Sequence, residues 1–267
     1  MPVHKRIRLA VLLLLFCVLL FGCGQTPEET LPTTQPAETT GPTVPVNTLS
    51  PRDFAYVGDY LTCTTRPSVM GLDVSYVQKE IDWEQVKAAG VEFAIIRLAY
   101  RGSIEGALFT DDWAQINYEG AKAAGIKVGG YIFTQSISPE EGVEDARYVM
   151  DIVKDWELDF PLVYDWEIID KSYRNGNLSP RTLTDTMKAF CQEVEKNGYK
   201  AAVYFNLGQK DKNFHLEELQ DYMFWLADYS GVMDCPYWVD MWQYTCTGSV
   251  PGIEGNVDIN LFFPPEE

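Results

Sequence analysis

Histidine is almost missing from this chain. Of its 267 residues only two are histidine, His4 and His215. With His4 in the basic head described below, His215 is left alone in a polar loop, and Ser-His-Asp and Cys-His triads lack a base. Zinc hydrolysis built on histidine ligands is excluded for the same reason. Basic residues are scarce as well: 21 Lys and Arg against 39 Asp and Glu give a net charge of −18. Nucleic-acid binding needs a basic stripe, and there is none. The six cysteines show no C-x-x-C spacing, which argues against a zinc ribbon. No glycine-rich phosphate loop follows the first strand-like run. The longest apolar run, Leu9 to Phe21, is shorter than the ~20 residues of a membrane-spanning helix.

That apolar run follows a basic head, His4-Lys5-Arg6-Ile7-Arg8, and ends at Gly22-Cys23. The pattern reads as an export signal over 1–22. Leu20-Phe21-Gly22-Cys23 resembles a bacterial lipobox, which implies acylation of Cys23 and an extracytoplasmic protein anchored to the cell membrane. A plain secretory signal and an uncleaved anchor are the alternatives. Residues 23–50 are expected to form a tether from Cys23: 13 of the 27 positions after Cys23 are Thr or Pro and none is basic. At ~3.1 Å per residue such a segment reaches up to ~80 Å. Residues 51–68 form a leading segment with no assigned role, and 69–267 a single domain. Loss of Lys5, Arg6 and Arg8 with the signal takes the charge from −18 to −21. Cys63, Cys191, Cys235 and Cys246 then remain as thiols, unless Cys235 and Cys246 bridge.

The domain alternates. Apolar strand-like runs at Gly71–Val74, Phe93–Leu98, Lys127–Thr134, Pro161–Glu167 and Ala201–Asn206 are separated by helical stretches at Asp82–Ala89, Asp112–Ala124, Pro139–Val153 and Pro180–Lys196. Asp82, Asp111, Ser138 and Ser179 are candidate helix caps, and Gly90, Gly125 and Gly198 candidate stops. Lys-Ala-Ala-Gly-Val at 87–91 recurs as Lys-Ala-Ala-Gly-Ile at 122–126. Beyond Asn206 the strand-like runs at 224–229, 239–244 and 256–262 leave too little chain between them for full helices. Five βα units and three closing strands predict an α/β fold, an irregular TIM-like barrel; an open doubly wound sheet is the alternative.

In such a barrel the chemistry sits where strands end. Those ends carry Asp73; Tyr131 and Phe133; Asp165 and Glu167; Tyr204 and Asn206; Trp242, Gln243 and Tyr244; and Asp258 and Asn260. Asp165 and Glu167 stand two apart at the end of an apolar run, so both point the same way. Acids in a cup lined by aromatics and amides suit a glycan: rings stack on sugar faces, amides grip hydroxyls, and paired acids cleave the bond. Four carboxylates could instead hold Mg²⁺ or Ca²⁺; no metal or other cofactor is expected. The aromatics could also be core residues.

Met-Gly-Leu-Asp-Val-Ser at 70–75 with Ile-Asp-Trp at 81–83, Val-Tyr-Asp-Trp-Glu at 163–167, Phe-Trp-Leu-Ala-Asp-Tyr at 224–229 and Met-Trp-Gln-Tyr-Thr through Val-Asp-Ile-Asn at 241–260 together resemble glycoside hydrolase family 25, in order along the chain. The resemblance implies a lysozyme-type N-acetylmuramidase that cleaves the β-1,4 bond between N-acetylmuramic acid and N-acetylglucosamine in peptidoglycan. It implies Glu167 as general acid, Asp165 as a group that stabilises positive charge or orients the 2-acetamido group, and Asp73 and Asp258 as holders of substrate and water. Retention with acetamido assistance is consistent with Asp-x-Glu. The aromatic motif at 224–229 adds Trp225 and Tyr229 to the expected substrate contacts. Two departures stand out. Lys79-Glu80 occupies a turn where many members have glycine, and Tyr131-Ile132-Phe133 replaces a common Tyr-His-Phe, which puts one subsite contact in doubt.

Trp166 is expected to pack away from the acids, Arg97 to pair with a barrel carboxylate, and Ser75 and Asn260 to orient neighbouring acids. The expected partners are peptidoglycan strands and, through the lipid, the membrane; a monomer is expected. A catalytically silent glycan-binding lipoprotein and a hexosaminidase acting on a related glycan are the competing readings.

Overall fold

The computed structural model describes residues 44–210, 213–233 and 235–265. The signal, Cys23 and most of the tether lie outside them. Eleven strands and five helices follow in chain order: β1 (Phe54–Val57), β2 (Tyr60–Cys63), β3 (Val69–Val74), α1 (Trp83–Ala88), β4 (Phe93–Arg101), β5 (Leu108–Thr110), α2 (Ala114–Ala123), β6 (Lys127–Thr134), α3 (Pro139–Val153), β7 (Leu162–Trp166), α4 (Pro180–Lys196), β8 (Ala201–Asn206), α5 (Leu207–Lys210), β9 (Met223–Ala227), β10 (Met241–Gly248) and β11 (Val257–Phe262). Among the described residues no helix is long and apolar enough to cross a membrane.

Eight strands close on themselves in the order β3-β11-β10-β9-β8-β7-β6-β4, with β3 pairing back onto β4 and β5 added outside β4. The expected irregular α/β barrel is therefore present. Six of its pairings are parallel, whereas β11 runs antiparallel to both β10 and β3. Because β11 is reversed, its beginning rather than its end lies at the rim, opposite Asp73.

Alternation of side chains divides the core into two layers. Phe93, Ile95, Val163, Ala202, Tyr204, Trp225 and Met241 fill the barrel, with Phe160 and Phe262 at its floor. Gly71 makes room for this plug: a Cβ there would meet the Phe93 ring at 2.3 Å. The outer layer lies beneath the helices, where Phe190, Val149 and Val194 are fully or almost fully buried. Asp82, Ser138 and Ser179 cap their helices as expected. Asp111 does not cap α2; its carboxylate takes the Trp113 backbone N–H just before the helix and pairs with Arg97.

The closing strands have almost no helical cover, and residues 44–68 take its place. Val46 bridges to Tyr237, and Asn47 and Trp238 exchange backbone bonds with Pro236 and Pro45. Phe54 meets Trp242 edge-on at 5.1 Å, and the Leu61 backbone N–H donates to the Tyr244 hydroxyl. The Arg66 guanidinium lies 4.3 Å above the Trp238 ring and donates to the Pro264 carbonyl. Among the described residues no disulfide forms: Cys63, Cys191 and Cys235 are buried and Cys246 is exposed.

Candidate active site

The upper layer of the barrel is polar, and its inward positions hold the acids. Asp73 leaves β3 directly opposite Asp258 of β11, and their carboxyl groups share a hydrogen bond. Asp73 Oδ2 also accepts from Gln243 Nε2 and Asn260 Nδ2, each at 2.8 Å. Asn260 in turn accepts from the Trp225 indole N–H at 2.8 Å, so its amide orientation is fixed from both sides. Gln243 accepts from the hydroxyls of Tyr204 and Tyr229. One network thus links β3, β8, β9, β10 and β11.

Asp165 and Glu167 complete the cup. Asp165 is buried, and its Oδ1 has no hydrogen-bond partner. Burial holds its carboxyl well above the usual range; the charges of Glu167 and Asp73 push the same way, and Arg97 pulls against them. Asp73 is raised by burial first and by the Asp258 charge second, against the two amide donors. Burial raises Asp258 too, while its bond to Asp73 lowers it. Glu167 is raised by burial and the Asp258 charge, and lowered by the Tyr204 hydroxyl, whose single proton is shared between Glu167 and Gln243. All four acids therefore keep protons to higher pH than free carboxylates, and Asp73, Asp165 and Glu167 each feel the charge of at least one other.

The segments that follow β6 and β7 clamp Glu167 by its backbone. Its carbonyl accepts from Gln135 Nε2 at 2.9 Å and from Asn175 Nδ2 at 2.8 Å. Arg174 binds the Gln135 carbonyl and pairs with Glu141 of α3, tying the clamp to a helix. Gln135, Asn175 and Arg174 were not legible as functional residues; only the position of Gln135, just past a strand end, hinted at its role.

The sequence-expected contacts divide by parity. Tyr131, Phe133, Tyr204, Gln243 and Asn260 belong to the cup or its wall, Asn206 shares a strand face with Tyr204, and Tyr229 is half exposed at the mouth. Burial and the Asp73 charge keep the Tyr131 phenol protonated. Trp225 lies deeper, 2% exposed, as the floor that holds Asn260. Trp242 and Tyr244 are corrections: flanking the inward Gln243, they point outward and are buried beneath residues 54–61. Ser75 is another, because its hydroxyl accepts from the Val77 backbone and, among the described residues, hydrogen-bonds to no acid. Ile132, expected to alter a subsite, is fully buried on the outer face. Trp166 faces outward as expected, donating to the Ser136 carbonyl, and the carboxylate paired with Arg97 is Asp111. Among the described residues no group of three or more His, Cys, Asp or Glu side chains is placed to hold a metal ion.

The family model described as glycosyl hydrolases family 25 matches residues 72–253. Lysozyme M1 of Streptomyces globisporus is 30% identical over 209 residues, covering 73% of this chain and 67% of that protein. The crystal structure of the bacterial lysozyme from Streptomyces coelicolor superposes with a TM-score of 0.57 at 28% identity, over 73% of this chain and 91% of that one. The autolysin LytC of Streptococcus pneumoniae, solved with a synthetic peptidoglycan ligand, shares the fold with a TM-score of 0.64 at 24% identity. The match covers 73% of this chain and only 47% of that autolysin. An eight-stranded barrel, four acids at its rim and these likenesses agree: the chain belongs to glycosyl hydrolase family 25 and is a glycoside hydrolase of the muramidase type.

Proposed function

We propose that the protein hydrolyses the β-1,4 bond between N-acetylmuramic acid and N-acetylglucosamine in peptidoglycan, with Glu167 as the proton donor to the leaving oxygen. The observation that carries this reading is the meeting of four carboxyl groups in one cup, with Asp165 and Glu167 two apart at the end of β7 and Asp73 paired with Asp258. Glu167 is a raised carboxyl held by its backbone, beside a second raised carboxyl at Asp165 whose Oδ1 has no hydrogen-bond partner. A carboxyl that keeps its proton to higher pH than a free one is suited to protonate a glycosidic oxygen. Asp165 faces the positive charge that develops at the anomeric carbon, or orients the 2-acetamido group for attack on it. Asp73 and Asp258 share a proton and hold substrate and water. Tyr131, Phe133, Tyr204 and Tyr229 offer the apolar faces a sugar stacks on.

Glu167→Gln tests the assignment on purified cell walls. It is expected to bind walls while losing at least about 10²-fold in release of reducing ends. Wild type that binds walls and releases no reducing ends would sink the enzymatic reading in favour of a silent glycan-binding protein. Mass spectrometry of the new reducing ends separates a muramidase from a hexosaminidase.

We further propose that the protein acts outside the cytoplasm as a monomer, held to the membrane through lipidated Cys23. The basic-apolar-Cys pattern at 4–23 supports this reading. Labelled fatty acid should enter the wild-type protein and not Cys23→Ala, and sedimentation should give a single-chain mass.

A further inference from the structure

Beside the four acids the structure holds a second recess, about 800 Å³ in volume, walled by the aromatics Tyr76, Tyr100, Phe109 and Phe133 and by Arg97, Asp111 and Asp112. It adjoins the cup. Arg97 pairs in register with Tyr131, and Phe133 with Asp165, so one strand separates the recess from Asp165. Its walls are aromatic: Tyr100 and Phe109 stack at 5.1 Å, and Tyr76 and Phe109 are about half exposed. Arg97 is the single cation among the described residues that line it.

The arrangement of that guanidinium is specific. Arg97 Nε donates to Asp111 Oδ2 at 2.8 Å. The guanidinium carbon lies 4.8 Å from the Tyr76 ring centre and 5.6 Å from that of Tyr100. Among the described residues neither Nη atom has a hydrogen-bond partner, and neither is sealed from solvent. The ion pair fixes one edge of the guanidinium, and the flanking rings restrict its tilt. The Nη edge is then a pre-set two-pronged donor, whose complement is a carboxylate. Asp111 is taken up by the ion pair and Asp112 is exposed to solvent, whereas around the cup the charged side chains are buried or half-buried acids, which would repel one.

We propose that this recess is a subsite for a carboxylate-bearing substituent of the sugar, gripped through the Nη edge of Arg97. The proposal rests on the peptidoglycan reading, in which the muramic acid O3 carries a lactyl group. The carboxylate is either the free lactyl group of an unsubstituted strand or an acidic residue of the attached peptide. Both present the same chemistry, and the substrate used tells them apart. Tyr76, Tyr100 and Phe109 cover the apolar part of the substituent.

The test compares kcat/KM of wild type, Arg97→Met and Arg97→Lys on three glycans of equal length. These are peptide-bearing fragments, the same fragments freed of peptide so that the lactyl carboxylate is exposed, and the freed fragments with that carboxylate amidated. The readout is the preference for a carboxylate glycan over the amidated one, because a change in Arg97 also alters the Asp165 environment and so the absolute rate on all three. Wild type is expected to prefer one or both carboxylate glycans by about 10- to 100-fold, the scale of a charge-assisted pair. Arg97→Met should erase that preference through KM, and Arg97→Lys should keep a small part of it. Asp111 retains the Tyr76 and Trp113 backbone donors in both variants, and thermal melting verifies folding. Wild type that cleaves all three glycans without preference, or an Arg97→Met enzyme that keeps the preference, overturns the subsite and leaves the muramidase reading standing. Wild type inactive on all three overturns both.

Discussion

Asp165 carries a stability cost that its chemistry requires. Its carboxyl is buried with one oxygen unpartnered, and its proton is held well above the ordinary range. Between the ordinary value and the raised one, the folded chain keeps the proton and the unfolded chain releases it. Stability therefore falls as pH rises through that window, and below the ordinary value the penalty vanishes. Asp165→Asn removes the titration. It is expected to be more stable than wild type at pH 7.5 by at least about 1 kcal/mol, the scale of relieving an unpaired buried polar group. The gain should fade as the pH is lowered toward about 4, the ordinary Asp value; urea midpoints at the two pH values measure it, and no gain at pH 7.5 would contradict the burial argument. Tyr204 makes the second residue-scale case. Its hydrogen bond lowers the Glu167 carboxyl, so Tyr204→Phe should raise it. The alkaline limb of the rate profile, where Glu167 loses its proton, should then move to higher pH; a downward shift would reverse the assigned effect.

At the scale of elements, the turn before α1 shows how a family feature survives a substitution. Lys79 adopts φ 54°, the one positive φ outside glycine among the described residues. It stands in the turn where glycine is common in the resembled family, so the left-handed turn is kept without glycine and carries about 1 kcal/mol of strain. Lys79→Gly should raise stability by about 0.5 kcal/mol once the extra backbone entropy of glycine is counted, a shift measurable in urea. The β1–β2 hairpin provides a larger case. Phe54 packs on Trp242 and Phe263, and Phe54→Ala should cost about 2–4 kcal/mol in urea while activity per folded molecule is kept. The βα units were legible because caps, stops and the repeated Lys-Ala-Ala-Gly mark their ends locally. The parity of β10 was legible in principle and was misjudged: three consecutive residues cannot share one face of a strand, so Gln243 inward requires Trp242 and Tyr244 outward. The reversal of β11 and the docking of residues 44–68 were not legible, since both rest on contacts between residues nearly two hundred positions apart.

For the molecule as a whole, acidity is concentrated rather than merely abundant. A chain of net charge −18 gathers four of its acids at one rim and sets a cation beside them in the adjoining recess. The acids were readable from sequence because each ends or begins a strand. Their mutual influence was not, because it depends on strands from opposite ends of the chain meeting at the Asp73–Asp258 pair. The same long-range meeting shapes how the barrel must be handled as an object. The stretch matched by the family model stops at residue 253, four residues short of β11, whose reversed course joins β10 to β3. A fragment trimmed to that stretch would be a split cylinder with two raw seams of unpaired backbone. It would lack one half of the proton-sharing pair and would stick to its own copies before it met a sugar.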